Sequence, residues 1–250
     1  MPEVNYQDQP FEEAIAFFRQ KLNLPTRTWT DLWQAEHTKA FVVAGATKAD
    51  LLNDLRLAVD KGIAQGITLA AFRKAFDETV AKNGWSYKGG RNWRTKVIFE
   101  TNIRTAYAAG RWQQMTDPEL LKLRPYLLYR HGDSRNPRPQ HLSWDGLVLP
   151  ADDPWWKTHY PPNGWGCKCR VFSISQRELK AMGKSGPDRA PDDGTYVWTD
   201  KNTGVTVTAP NGIDPGWAYN VGEKTDWTPD LSKYPSGLAE HLSNELEKYA

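Results

Sequence analysis

Apolar residues recur at helical spacing through the first half of the chain. Phe11, Ile15, Phe18 and Leu22 share one face of a helix drawn from Phe11 to about Leu22, with Pro10 at the first turn, where a proline costs no hydrogen bond. Beyond Pro25, the set Leu32, Trp33, Ala40 and Phe41 predicts a second helix over Thr30 to Ala44, capped by Thr28 or Thr30 and stopped at Gly45. Glu36 and His37 are polar interruptions of it, with no catalytic role. A third helix opens at Thr47, with Asp50 three positions on as in a capping box, and carries Leu51, Leu52, Leu55 and Val59 until Gly62 and Gly66 weaken its end. Thr68 caps a fourth, running through Leu69, Phe72, Phe76 and Val80 to Lys82 and closed by Asn83 and Gly84. After a turn from Trp85 to Gly90, the fifth and longest helix spans Arg91 to about Thr116 on a stripe of Ile98 or Phe99, Ile103, Ala106, Tyr107 and Gly110.

At Pro125 the pattern shortens. Tyr126 to Arg130, Gly146 to Pro150 and Lys168 to Ser175 read as short strands separated by Pro and Gly clusters. A brief helix at Gln176 to Met182, a polar linker at Gly183 to Gly194, a hairpin pairing Tyr196–Thr199 with Val205–Thr208 across Asp200 to Gly204, and a helix from Leu238 to Tyr249 complete the reading. The expected fold class is α+β: an amino-terminal helical domain (1–120) with a long helix, then a small loop-rich α/β domain with short antiparallel strands (121–182). Residues 183–250 are expected to supply a linker, a hairpin and a carboxy-terminal helix packing on that core.

Composition changes this picture in three places. Hydrophobic residues at 39% and charged residues at 25% are ordinary for a globular chain, which excludes wholesale disorder. A net charge of +2 excludes a polycation that coats nucleic acid indiscriminately, so any DNA contact must come from a local patch. The only cysteines, Cys167 and Cys169, sit one residue apart, a spacing that suits a shared metal or a free thiol pair better than a structural cross-link, and points to synthesis in a reducing cytosol. No apolar stretch behind a basic start and no long apolar run is present, so neither secretion nor membrane insertion is expected.

The candidate chemistry lies between Asp133 and Arg170. Asp133-Ser-Arg-Asn-Pro-Arg-Pro-Gln-His141, Trp144-Asp-Gly146 and Trp155-Trp-Lys-Thr-His159-Tyr-Pro-Pro-Asn-Gly-Trp-Gly-Cys167-Lys-Cys169-Arg170 bring thiols, imidazoles and rigid proline turns together. Zinc favours that ligand mixture in tetrahedral sites. Cys167 and Cys169 would share one side of an incipient strand, with His141 and His159 arriving from the preceding loops and His131 as a substitute. Alternatively the cysteines are two small buried residues and His141 bonds a carboxylate such as Asp133 or Asp145. Trp144, Trp155, Trp156 and Trp165 read as core plugs or as interface anchors.

Two further patterns compete with these. Between Trp85 and His141, basic residues including Arg91, Arg94, Arg104, Arg111, Arg135 and Arg138 outnumber acidic ones and are interleaved with Trp93, Tyr107 and Trp112, a pattern that grips phosphates or is simply a solvated helix face. Asp133, Arg135, Arg138, His141 and Asp145 form an acid–base set, from which a nuclease would use His141 with Arg138 and Asp145. No nucleophile elbow, phosphate-cradling loop or paired-histidine motif accompanies it, so an Arg/Asp/His network including Asp133, Asp145 and Arg170 that fixes a loop-rich domain is the preferred reading.

On these residues the chain resembles the Mu protein F-like family of phage head morphogenesis proteins, related to the minor head proteins of SPP1-type phages. The resemblance covers Phe11 to Arg170. It rests most specifically on Arg138-Pro-Gln-His141 and on Pro161-Pro-Asn-Gly-Trp-Gly-Cys167-Lys-Cys169-Arg170, with Trp33 to Phe41, Thr101-Asn-Ile-Arg104, Tyr107-Ala-Ala-Gly-Arg111 and Asp145-Gly146 in support. Gly212-Ile-Asp-Pro-Gly216 and Tyr219-Asn220 are similar to the family's closing motif. The resemblance implies a low-copy virion protein inside the capsid, made in the host cytoplasm. It would act in head assembly at or near the portal, with portal or major capsid protein as partner and double-stranded DNA as a further contact during packaging or ejection. Related proteins often carry additional carboxy-terminal nuclease or toxin modules; about eighty residues follow Cys169 here with none recognisable, so no enzymatic activity is expected.

Overall fold

The protein is described by a computed structural model covering residues 10–201 and 203–248. It is α+β and divides into two compact units, one built from residues 10–29, 40–110 and 229–248, the other from 30–39 and 111–228. Among the described residues no helix is long and apolar enough to cross a membrane.

The first unit is helical. It contains α1 (Glu12–Arg19), β1 (Leu22–Asn23) and, beyond the four-residue α2 (Glu36–Lys39) of the other unit, β2 (Ala40–Phe41), α3 (Ala49–Gln65), α4 (Leu69–Asn83) and most of α5 (Arg91–Met115). Leu51, Leu52, Leu55 and Val59 of α3 pack with Phe72 and Phe76 of α4 and with Ile98 and Phe99 of α5, as their 3–4 residue spacing requires. Thr68 caps α4 by accepting a hydrogen bond from Ala71 N–H at 3.2 Å, and Gly84 ends it in the left-handed region at φ 59°. Gly62 does not weaken α3; it makes room for the Phe99 ring, which a Cβ there would meet at 2.5 Å.

The expected helix over Thr30–Ala44 does not form. Gln34 takes φ 46°, which breaks the helix, Glu36 accepts the Trp33 N–H at 2.6 Å, and Ala40–Phe41 extends to pair in parallel with Leu22–Asn23. Phe41 thereby reaches the helical core against Phe18, a gain that outweighs the local helical pattern. Two smaller expectations also fail. Lys48, not Thr47, is the cap residue of α3 and makes no side-chain cap bond, and Tyr107 lies outside the core, 41% exposed with its ring edge on Phe11.

The second unit contains α6 (Pro118–Leu123), β3 (Tyr126–Arg130), α7 (Pro139–Ser143), β4 (Val148–Pro150), α8 (Trp156–His159), β5 (Arg170–Ile174), α9 (Gln176–Ala181), β6 (Thr195–Thr199) and β7 (Thr206–Pro210). The strands β4-β3-β5 form an antiparallel three-stranded sheet, with Leu127 opposite Leu149 and Ser173, and Tyr129 opposite Val171. Val148, Ile174 and Leu179 form a small apolar cluster with Tyr126 and Leu128 on one face. Tyr129, one residue out of phase with Leu128, meets Trp144 and Trp155 edge-on at 5.7 and 6.0 Å. Trp144, Trp155 and Trp156 are thus core plugs, whereas Trp165 is half-exposed against Trp217.

The stretch 183–194 does more than link. Asp188 pairs through its backbone N–H with the Val148 carbonyl and through its carboxylate with the Val148 N–H, and Asp193 accepts the Trp144 indole N–H at 2.8 Å. The hairpin β6–β7 forms as expected, tied by Tyr196 Oη donating to the Ile213 carbonyl; residue 202 of its turn lies outside the described residues. The carboxy-terminal helix, α10 (Ser236–Glu247), belongs to the first unit and not to the sheet-bearing one, which corrects the expected third segment; Tyr249, the expected end of this helix, lies outside the described residues.

Candidate metal centre

Helix α7 begins at Pro139 and turns His141 into the interior, where the imidazole is 2% exposed and stacked on Trp144 at 5.1 Å. Its Nε2 lies 2.8 Å from the Gly212 carbonyl, an acceptor only, so Nε2 carries the proton and Nδ1 presents its lone pair. That lone pair faces both thiols: Nδ1 is 3.4 Å from Cys169 Sγ and 3.8 Å from Cys167 Sγ. The ligand atoms of His141, Cys167 and Cys169 all lie within 4.8 Å of one another.

The loop that carries the cysteines is clamped from a distant part of the chain. The Asp214 carboxylate accepts the Trp165 N–H at 2.8 Å and the Arg138 guanidinium at 2.6 Å, while Asp214 N–H donates to the Asn163 carbonyl at 3.0 Å. Gly164 must be glycine here, because a Cβ would sit 2.3 Å from the Asp214 carboxylate. Gly132 must be glycine too, its Cβ position lying 2.0 Å from the Lys168 carbonyl oxygen. Gly212, at φ 87° and pressed on Gln140 and Trp144, brings its carbonyl to His141.

Backbone donors converge on the sulfurs. Cys167 receives the N–H groups of Asn163 and Cys169, and Cys169 receives the N–H of Gly132 and the Tyr129 hydroxyl. The Tyr129 oxygen also lies 3.0 Å from Asn163 Oδ1, although a phenol has one proton to give, and Asn163 Nδ2 is buried with no partner. Turning the Asn163 amide over resolves both: Nδ2 donates to the phenol oxygen and the phenol donates to Cys169. Burial pushes the Tyr129 phenol far up, so it remains a donor. Without a cation the pair shares one proton: the hydrogen bond to Cys169, with burial, drives the Cys167 thiol well up, and the bond from Cys167 holds the half-buried Cys169 down at about 4.

His159 is not brought to this cluster. Its ring stacks on Trp155 at 4.3 Å, and Nδ1 bonds Thr158 Oγ1 at 2.8 Å and lies 3.2 Å from the Trp155 carbonyl, so it serves the aromatic core. The preferred charged network is also corrected. Asp145 accepts the His131 N–H at 2.8 Å and pairs with Arg130, but Asp133 and Arg170 are exposed and no ion pair is found for either among the described residues. The pair that fixes the loops is Arg138–Asp214. Of the acid–base set, His141 is enclosed with both ring nitrogens engaged, Arg138 is held by Asp214, and Asp145 is turned to Arg130 and His131.

The arginines named for phosphate contact are mostly committed elsewhere. Arg91 pairs with Asp77 and Arg104 with Glu100, while Arg94 lies over Trp85 and Tyr87 and donates to the Ala44 and Lys88 carbonyls. Arg111 bonds Gln114 at 3.2 Å, and Arg135 is exposed. Tyr129, Asn163 and Asp214 had no individual signal in the sequence; only the glycines of the proline-framed loops and the Gly212–Gly216 motif pointed toward their surroundings.

Residues 53–172, which include His141, Cys167 and Cys169, match the profile of the family described as Phage Mu protein F like protein. The protein F of Escherichia phage Mu, described as a capsid assembly protein, is 34% identical over 85% of this chain and 54% of its own length. The F protein of the Mu-like prophage FluMu in Haemophilus influenzae is 32% identical over 79% of this chain and 53% of its own length. The chain therefore spans about half the length of the curated relatives it matches. No solved structure matches it. Through residues 53–172, the chain belongs to the Phage Mu protein F like family.

Proposed function

We propose that this chain is a structural component of a tailed-phage head, acting in head assembly as a minor capsid protein that docks at or near the portal. The supporting observation is that a relative 34% identical over most of the chain is described as a capsid assembly protein. The reading is also supported by the residues an enzyme would draw on, since His141 bonds the Gly212 carbonyl, Arg138 pairs with Asp214, and Asp145 accepts the His131 N–H. The head location is tested by reconstructing virions and by co-purifying the tagged chain with portal and major capsid protein. Density or co-purification at the portal vertex supports the reading, and a chain absent from heads and from assembly intermediates removes it. The non-enzymatic reading is tested by nuclease assay of the wild type against His141→Ala, where activity lost with the imidazole would overturn it.

Contact with DNA is the secondary reading, carried by one observation. Arg130 and Arg170 stand directly opposite each other on β3 and β5, like charges of which Asp145, 3.3 Å from Arg130, offsets one, with Lys168 exposed two residues away. A phosphate would offset the charge that remains. Filter binding of duplex DNA across a salt series should show a slope that shrinks by roughly 2 for Arg130→Ala/Arg170→Ala. A slope unchanged by the double substitution removes this contact.

A further inference from the structure

The two thiols of the His141, Cys167 and Cys169 cluster are used by neither the assembly reading nor the DNA reading, and the geometry of the cluster is that of a ligand set. In a zinc tetrahedron with bonds of about 2.3 Å to sulfur and 2.05 Å to nitrogen, each N···S edge is about 3.6 Å. The separations from His141 Nδ1 to the two sulfurs, 3.4 and 3.8 Å, straddle that value. A thiol hydrogen bond accounts for one such approach, but Nδ1 has a single lone pair, and two sulfurs arranged around it are better explained by an ion at the centre.

We propose that His141 Nδ1, Cys167 Sγ and Cys169 Sγ hold one zinc ion that staples the loops of the second unit together, leaving one coordination position to solvent or to a residue from outside the chain.

The surroundings carry the outer features of such a site. The Gly212 carbonyl fixes the tautomer and orientation of the ligating imidazole, as metal-bound histidines require. The sulfurs gather backbone N–H groups from Gly132, Asn163 and Cys169, and N–H groups aimed at sulfur stabilise thiolate better than thiol. Two thiolates with one divalent ion sum to zero charge, which suits a site where His141 and Cys167 are buried. Soft sulfur with imidazole selects zinc over magnesium or calcium. The ion would join α7 to the β5 entry, and through Gly212 to a segment 71 residues further along the chain.

The ligand set differs from the sequence-based expectation in its fourth member. His159 is stacked on Trp155, edge-on to Trp144 and bonded to the Trp155 carbonyl, which makes it an internal control.

The test uses the full chain, purified under reducing conditions. Elemental analysis should find about one zinc per chain. Chelation should lower the thermal midpoint by about 10 °C, the size expected for losing a ligand present at roughly a thousand times its Kd, and re-added zinc should restore it. Cobalt titrated into the stripped chain should saturate at one equivalent with thiolate-to-cobalt charge-transfer absorption. That absorption should weaken by about half in Cys167→Ser and in Cys169→Ser, and persist in His159→Gln. Where a cysteine variant folds poorly, the chelation and cobalt results on the wild type decide. A chain that carries no zinc, keeps its midpoint in chelator and gives no cobalt–thiolate band overturns the proposal, as does metal retained when both cysteines are replaced.

Discussion

His159 shows how burial alone sets the chemistry of a side chain. Enclosed by Trp155 and Trp144, its imidazole is lowered by desolvation from the ordinary 6.5 to about 4. The unfolded chain therefore binds more protons than the folded one between these values, so stability is full above pH 6.5 and falls as the pH drops toward 4. The loss should reach ~3 kcal/mol, and His159→Gln should flatten this part of a pH series of urea melts. Lys21 is a second case, in the helical unit. It is 4% exposed with its ammonium 4.6 Å from the Phe17 ring, and burial, assisted by the Arg56 charge, lowers it to about 7. Its folded value lies below its unfolded one, so its cost is greatest below pH 7 and vanishes as the pH rises toward 10.5. Neither residue announced itself in the sequence: Lys21 followed a helical pattern as a polar position, and His159 read as a ligand because it shares a loop with the thiols.

At the level of elements, regular periodicity was a dependable guide where local preference and tertiary packing agreed. The pattern for α3, α4 and α5 matched the structure closely, because their apolar stripes are long and meet each other. The same pattern misled over residues 30–44, where Phe41 is worth more in the core as a two-residue strand than on a helix. Glycines show the same division. Gly62 lies inside α3, where Ala would normally improve helix propensity by about 1 kcal/mol. Its neighbour Phe99 reverses the sign for larger groups: Gly62→Val should destabilise by ~2 kcal/mol, read as a lower urea midpoint at constant m-value. Gly212→Ala meets both a positive φ and a Cβ contact of 2.7 Å with Trp144. It should cost ~2 kcal/mol and also release the His141 ring, detectable as faster reaction of the two thiols with a disulfide reagent. Unaltered thiol reactivity would separate Gly212 from the imidazole.

Across the molecule, the ion pairs that tie separate segments, such as Arg19–Asp60 and Arg138–Asp214, could not be read from the sequence because they join residues far apart in the chain. Breaking the second of these with Asp214→Ala should unlock Trp165 and Arg138 together and lower stability by about 3 kcal/mol, while Asp77→Ala, which removes an exposed pair with Arg91, should change it by less than ~1 kcal/mol. Equal effects of the two would deny the clamp its role. The chain by itself determined the α+β class, the order of helices before strands, the family, and the identity of His141, Cys167 and Cys169 as the residues with chemistry to offer; period, composition and short motifs are local properties and survive without coordinates. Tertiary structure alone decided that His159 belongs to the aromatic core, that the carboxy-terminal helix joins the helical unit, and that Gly212 and Asp214 complete the thiol site. Those outcomes depend on which distant segments bury one another's polar groups, and no local pattern records that.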